Sequence, residues 1–133
     1  MGLPNGWTPS KFHNFIMSQL RSATLKYPPK HQILKAHRTR RGFYMCAGCQ
    51  EEVPASVIEK GKRTRNYFVD HIEPVVDPKE GFVSWDLVVE RMFNIKHDDP
   101  CDGYQVLCKA CHTEKTKKEN EERKIARARL KNT

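Results

Sequence analysis

Two cysteine pairs and one acid–imidazole dipeptide carry the chemistry this sequence offers. The pairs are Cys46-Ala-Gly-Cys49 and Cys108-Lys-Ala-Cys111, and His112 follows the second directly. Between them lies Phe68-Val69-Asp70-His71-Ile72, where apolar residues flank an adjacent carboxylate and imidazole. Four thiolates are the ligand set of a closed, tetrahedral structural zinc site. A carboxylate such as Asp70 suits a hard divalent cation, and an imidazole such as His71 is the natural proton acceptor near neutral pH. Phosphodiester hydrolysis calls for such a set: an activated water, a cation on the phosphate and stabilisation of the departing oxygen.

The cysteine spacing narrows the metal reading. A compact zinc ribbon separates its pairs by fewer than about 20 residues, whereas 58 residues lie between Cys49 and Cys108. A metal there would clip together two segments distant in sequence, and its binding free energy would act as folding free energy. Two other readings stand beside it. A redox CxxC is one, though two such pairs favour joint metal binding. Haem attachment at Cys108-Lys-Ala-Cys111-His112 is the other; it leaves Cys46 and Cys49 unexplained and calls for export. Cys101 is left over as a free thiol. In a chain expected in the cytoplasm, five cysteines argue against a disulfide framework.

Several elements must position these groups. Thr8 and Pro9 predict a helix start, as N-cap and first helical residue, with Trp7 stapled onto Phe12. Phe12, Phe15, Ile16, Leu20 and Ala23 recur at helical spacing, as a core face or a partner surface, until Tyr27-Pro28-Pro29 stops the helix. A second helix is predicted over about Lys30 to Arg40, ended by Gly42. Phe43-Tyr44-Met45 reads as a strand leading into the first cysteine pair, in which Gly48 is expected at positive φ. Pro54 to Lys60 reads as a turn or short helix, and Gly61 to Arg65 as a basic loop. Asn66 to Ile72 is a strand that ends near Asp70-His71, because Pro74 follows. Ser84 caps a helix of about Trp85 to Ile95, Tyr104 to Leu107 is a strand, and from Lys109 the chain is one long charged helix.

With 133 residues, one domain is expected, and with only 38% hydrophobic residues its core benefits from a staple. The net charge is +8 and unevenly spread. Residues 1–65 hold 12 Lys and Arg against 3 Asp and Glu, residues 66–108 hold 3 against 9, and residues 109–133 hold 9 against 4. Basic arms flank an acidic centre. That suits a phosphate backbone outside and a cation within, although a basic surface facing only solvent has the same composition. Arg38, Arg40 and Arg41, then Lys62, Arg63 and Arg65, then Lys115 are the expected phosphate contacts. No apolar run forms a leader or reaches membrane-span length, so a soluble cytoplasmic protein is expected.

The ordered set Cys46-x-x-Cys49, Val69-Asp70-His71-Ile72-Glu73-Pro74 and Tyr104-Gln105-Val106-Leu107-Cys108-x-x-Cys111-His112-x-x-Lys115-Thr116 resembles the HNH endonucleases. It is most similar to the small zinc-stapled type of bacteriophages and mobile elements. The resemblance covers residues 43–118 and implies an α+β fold with a treble-clef-like ββα-metal core. Residues 1–42 would form a basic helical extension packed on the core, and residues 43–133 the nuclease domain with its C-terminal helix. It implies His71 as general base, Asp70 and His112 as ligands of one catalytic Mg²⁺ or Mn²⁺ (Ni²⁺ being possible), and the four paired cysteines as a structural zinc site. The partner would be double-stranded DNA, met by a monomer or homodimer, with a phage DNA-processing protein as a further partner. At the family's usual asparagine position this chain has Gly103, and Asp102 is the neighbour expected to brace the loop. The contrasting reading is a zinc-stabilised DNA-binding module that does not cut.

Overall fold

The computed structural model describes residues 2–131 and gives an α+β fold built around the two cysteine pairs. Helix α1 (Pro9–Thr24) begins as the sequence predicts: Thr8 Oγ1 accepts from the Lys11 amide at 3.1 Å, and Trp7 packs on Phe12 and Phe15. Its inward face lies slightly around from the expected one. His13, Ile16, Met17, Leu20 and Thr24 turn inward, while Phe12 and Phe15 stay exposed beneath Trp7. Helix α2 (Pro28–His37) starts on its two prolines and stops before Arg38, earlier than predicted. The arginines that follow are therefore extended: β1 (Arg38–Arg40) pairs antiparallel with β2 (Phe43–Met45), and β2 with β3 (Glu52–Pro54).

Next comes an element that the sequence reading placed as turn and loop. Strands β4 (Ser56–Glu59) and β5 (Lys62–Arg65) form a two-stranded antiparallel ribbon. Lys60 and Gly61 close it, both at positive φ, as a two-residue hairpin turn requires. Strand β6 (Phe68–His71) then pairs antiparallel with β7 (Tyr104–Leu107), setting His71 opposite Tyr104 and Phe68 opposite Leu107. Between them runs α3 (Trp85–Met92), capped by Ser84 Oγ on the Leu87 amide and ending sooner than predicted, and a short 3₁₀ turn (Pro100–Gly103). Helix α4 (Lys109–Lys131) leaves β7 directly. No described helix is long and apolar enough to cross a membrane.

The core has two lobes. Tyr44, Cys46, Val106, Leu107 and Cys108 form one, with Ile33 and Leu34 of α2 against it. Met17, Val88 and Met92 form the other, between α1 and α3. From residues 1–42, α1 and α2 pack into these lobes, and β1 pairs across the expected boundary at residue 42.

Candidate metal centre and adjoining cleft

The metal site is assembled from both cysteine pairs. The ligand atoms of Cys46, Cys49, Cys108 and Cys111 all lie within 4.8 Å of one another. A tetrahedral zinc with Zn–S bonds near 2.3 Å would set the sulfurs about 3.8 Å apart, so the set fits such an ion. The backbone forms the knuckle: the Cys46 amide donates to Glu51 O, the Gln50 amide to Cys46 O, and the Ala47 amide to Val106 O of the other segment. The Cys108 amide donates to Cys46 Sγ at 3.3 Å. Gly48 is needed for close approach rather than for positive φ, since a Cβ there would fall 2.8 Å from Cys111 Sγ. Burial pushes the Cys46 thiol up, but the amides of Cys108, Cys49 and Gly48 outweigh it and hold the thiol at about 6. Burial and the neighbouring thiols Cys108 and Cys46 push Cys111 up to about 12. A cation among the four would relieve that conflict. Cys101 lies elsewhere, half-buried against Pro29 O and Gln32.

Next to this centre, β6 ends in Asp70 and His71 at a cleft of about 380 Å³. His71 is half-buried, and its Nε2 lies 2.7 Å from Met92 O. A carbonyl only accepts, so Nε2 carries the proton and, in the neutral ring, Nδ1 keeps its lone pair. Tyr104 Oη donates to the same carbonyl at 2.7 Å, and Tyr27 Oη donates to Phe93 O at 2.9 Å. These side chains satisfy carbonyls at the end of α3 that have no helical partner. Burial lowers the pKa of His71 below its ordinary value, the Met92 carbonyl opposes that, and Lys30 adds to the lowering.

The other expected groups are placed as follows. Successive strand residues face opposite sides, so Phe68 and Asp70 share the side opposite to His71, and α4 lies along it. His112 stacks on Phe68, with ring centroids 4.5 Å apart and planes at 11°. Three residues on, Lys115 Nζ meets Asp70 Oδ2 at 2.6 Å, also donates to His71 O, and lies 3.7 Å from Glu119. His112 opens into a neighbouring cavity with Lys30, Arg65 and Phe68. Among the described residues, the four cysteines are the one set of three or more ligand-type side chains that converge within 4.8 Å. As the side chains stand, the Lys115 ammonium occupies the place beside the Asp70 carboxylate that a divalent ion would take, while the stack on Phe68 engages the face of His112 and not its in-plane nitrogen lone pairs. Lys115, expected to contact phosphate, is engaged with Asp70 instead.

Of the other expected phosphate contacts, Arg38, Arg41, Lys62, Arg63 and Arg65 are exposed, whereas exposed Arg40 is tied to Glu52 at 2.8 Å. The cleft also holds cations that sequence reasoning missed: Arg21 from α1, Lys30 from α2 and Arg123 from α4. No spacing signals them, because helix packing brings them in. The bracing at Gly103 is likewise not from Asp102. A Cβ on Gly103 would sit 2.3 Å from Asn94 Cγ, so the Asn94 side chain fills that space. Asn94 is 5% exposed, has φ +53° and donates to Pro100 O at 3.1 Å. Compared with known families, curated proteins and solved structures, the chain matches none.

Proposed function

We propose that this protein is a DNA endonuclease or nickase that hydrolyses phosphodiesters, with the β6–β7–α4 succession as an HNH-type ββα-metal core and zinc on the four cysteines. The observation that carries the reading is His71: a half-buried neutral imidazole, its Nε2 proton committed to Met92 O and its Nδ1 free to accept, at the edge of a cleft rich in cations. Nδ1 would take the proton of the attacking water. Arg21, Lys30 and Arg123 would draw the phosphate in and offset the charge that grows on it. Asp70 and His112 would hold a Mg²⁺ or Mn²⁺ ion once Lys115 leaves the carboxylate, and such an ion would supply further charge stabilisation on the phosphate.

That same Lys115–Asp70 contact favours a second reading, a zinc-stabilised DNA-binding module without cleavage. Supercoiled plasmid separates the two. Relaxation that needs added Mg²⁺, Mn²⁺ or Ni²⁺ supports the nuclease, while gel retardation with the plasmid left supercoiled in every metal supports the module.

A further inference from the structure

The β4–β5 ribbon forms a sheet of two strands only, and it leans on the rest of the chain lightly. Its register sorts its faces. Val57, Thr64, Glu59 and Lys62 share one side, where Val57 and Thr64 are half-buried and Glu59 is tied to Lys109 at the start of α4 at 2.9 Å. Ser56, Ile58, Arg63 and Arg65 share the other. On that outer face Ile58 is 72% exposed beside Arg63, and Arg63 reaches back to Ser56 Oγ. Lys60 and Lys62 stand exposed at the tip, and the ribbon's single acid, Glu59, is already paired. At its base, Arg65 lies over the rings of Tyr67 and Phe68, and Phe68 carries His112. The outer face therefore runs from an exposed isoleucine, along arginines, to the cavity beside His112, which shares Lys30 and Val69 with the Asp70–His71 cleft.

We propose that this ribbon enters the major groove of duplex DNA and so sets the phosphate backbone over the Asp70–His71 cleft. The groove of B-form DNA is about 12 Å wide and admits a two-stranded β-ribbon. Four-residue strands reach roughly 13 Å, enough to cross it. Lys60 and Lys62 meet the flanking phosphates, Arg63 faces guanine edges, and Ile58 offers an apolar contact for thymine methyl groups. A-form RNA presents a major groove too deep and narrow for a ribbon, so duplex RNA is the weaker partner. The inference deepens the nuclease reading and rests on its choice of DNA.

The test measures binding of the full chain carrying His71→Ala to a labelled duplex, with and without Lys62→Ala/Arg63→Ala. Circular dichroism and zinc content confirm that both proteins are folded. The ribbon variant should bind at least ten-fold more weakly in 0.15 M salt, with a salt dependence flattened by about 0.9 for each phosphate contact removed. Methyl green, which occupies the major groove, should displace the protein; netropsin, which occupies the minor groove, should not. Ribbon-variant affinity within two-fold of the parent, displacement by netropsin alone, or equal affinity for duplex RNA would overturn the ribbon while leaving plasmid cleavage by the wild type to support the nuclease. Ribbon-dependent binding with no wild-type cleavage in any metal would keep the ribbon and end the nuclease. A chain that binds no duplex ends both.

Discussion

His71 and Met92 are joined by one hydrogen bond, 2.7 Å from imidazole Nε2 to the backbone carbonyl that ends α3. The bond fixes which nitrogen is protonated and leaves the other, Nδ1, with the lone pair a base needs. Burial meanwhile lowers the pKa of His71 from its ordinary value. A general base works in its neutral form. Cleavage should therefore stay level through neutral pH and fall only as acid drives the ring through its lowered pKa, below the usual value of about 6.5. The unfolded chain takes up that proton first, so stability should begin to decline as pH falls through the usual value of about 6.5 and level off below the lowered folded-state pKa. A pH–rate profile of plasmid nicking, with thermal melts at each pH, checks both.

The side chain of Asn94 and the bare Cα of Gly103 fill one space between them. Gly103→Ala should be strongly destabilising, by about 2–4 kcal/mol, because the new Cβ meets a buried side chain. Asn94→Gly keeps the left-handed backbone but strands Pro100 O, and should cost about 1–3 kcal/mol. The double variant should be less damaged than the two losses summed, since each change makes room for the other. Denaturant melts of the three proteins measure the coupling.

The four cysteines hold together two segments distant in sequence, beside the Ala47–Val106 hydrogen bond and the lobe around Tyr44 and Val106. Cys46→Ser or Cys108→Ser, each at a buried position, should abolish stoichiometric zinc and unfold the lobe around Tyr44 and Val106. Cys101→Ser should leave zinc content and melting within about 1 kcal/mol of wild type, because the Cys101 thiol has no part in the cluster. Metal analysis by mass spectrometry and melts with a strong chelator provide the readout.

Lys115 and Asp70 form a largely sheltered pair, with side chains 24% and 23% exposed. Lys115→Met removes the ammonium and leaves the carboxylate uncompensated, at a cost of about 1–2 kcal/mol. A divalent ion binding Asp70 should restore that loss. The variant's melting temperature should rise with millimolar Mg²⁺ or Mn²⁺ by more than the wild type's does. Equal responses in the two proteins would place divalent binding elsewhere.

Much of the scaffold was legible in the sequence because its signals are local. Thr8-Pro9 and Ser84 cap their helices, and Tyr104–Leu107 forms a strand, as the residues predict. The cysteine cluster was legible from ligand type alone. The β4–β5 ribbon was missed because Lys60-Gly61 is a weaker hairpin signal than Asn-Gly, and the positive charge around it reads as loop. The site was legible only in part. Adjacent residues place Asp70 and His71 at one strand end, but which neighbour each meets depends on how α3 and α4 pack. Lys115 on Asp70, Phe68 under His112, and Met92 O on His71 are contacts over 45, 44 and 21 positions of chain. Nothing in local spacing encodes them.

The most direct measurement is single-turnover nicking of supercoiled plasmid by wild type and His71→Ala, each at equal zinc content, in Mg²⁺ and in Mn²⁺. The account predicts metal-dependent nicking by the wild type and a loss of about 10²-fold or more in the variant, with DNA binding retained. Nicking by His71→Ala at the wild-type rate, or no nicking by either protein, would contradict it.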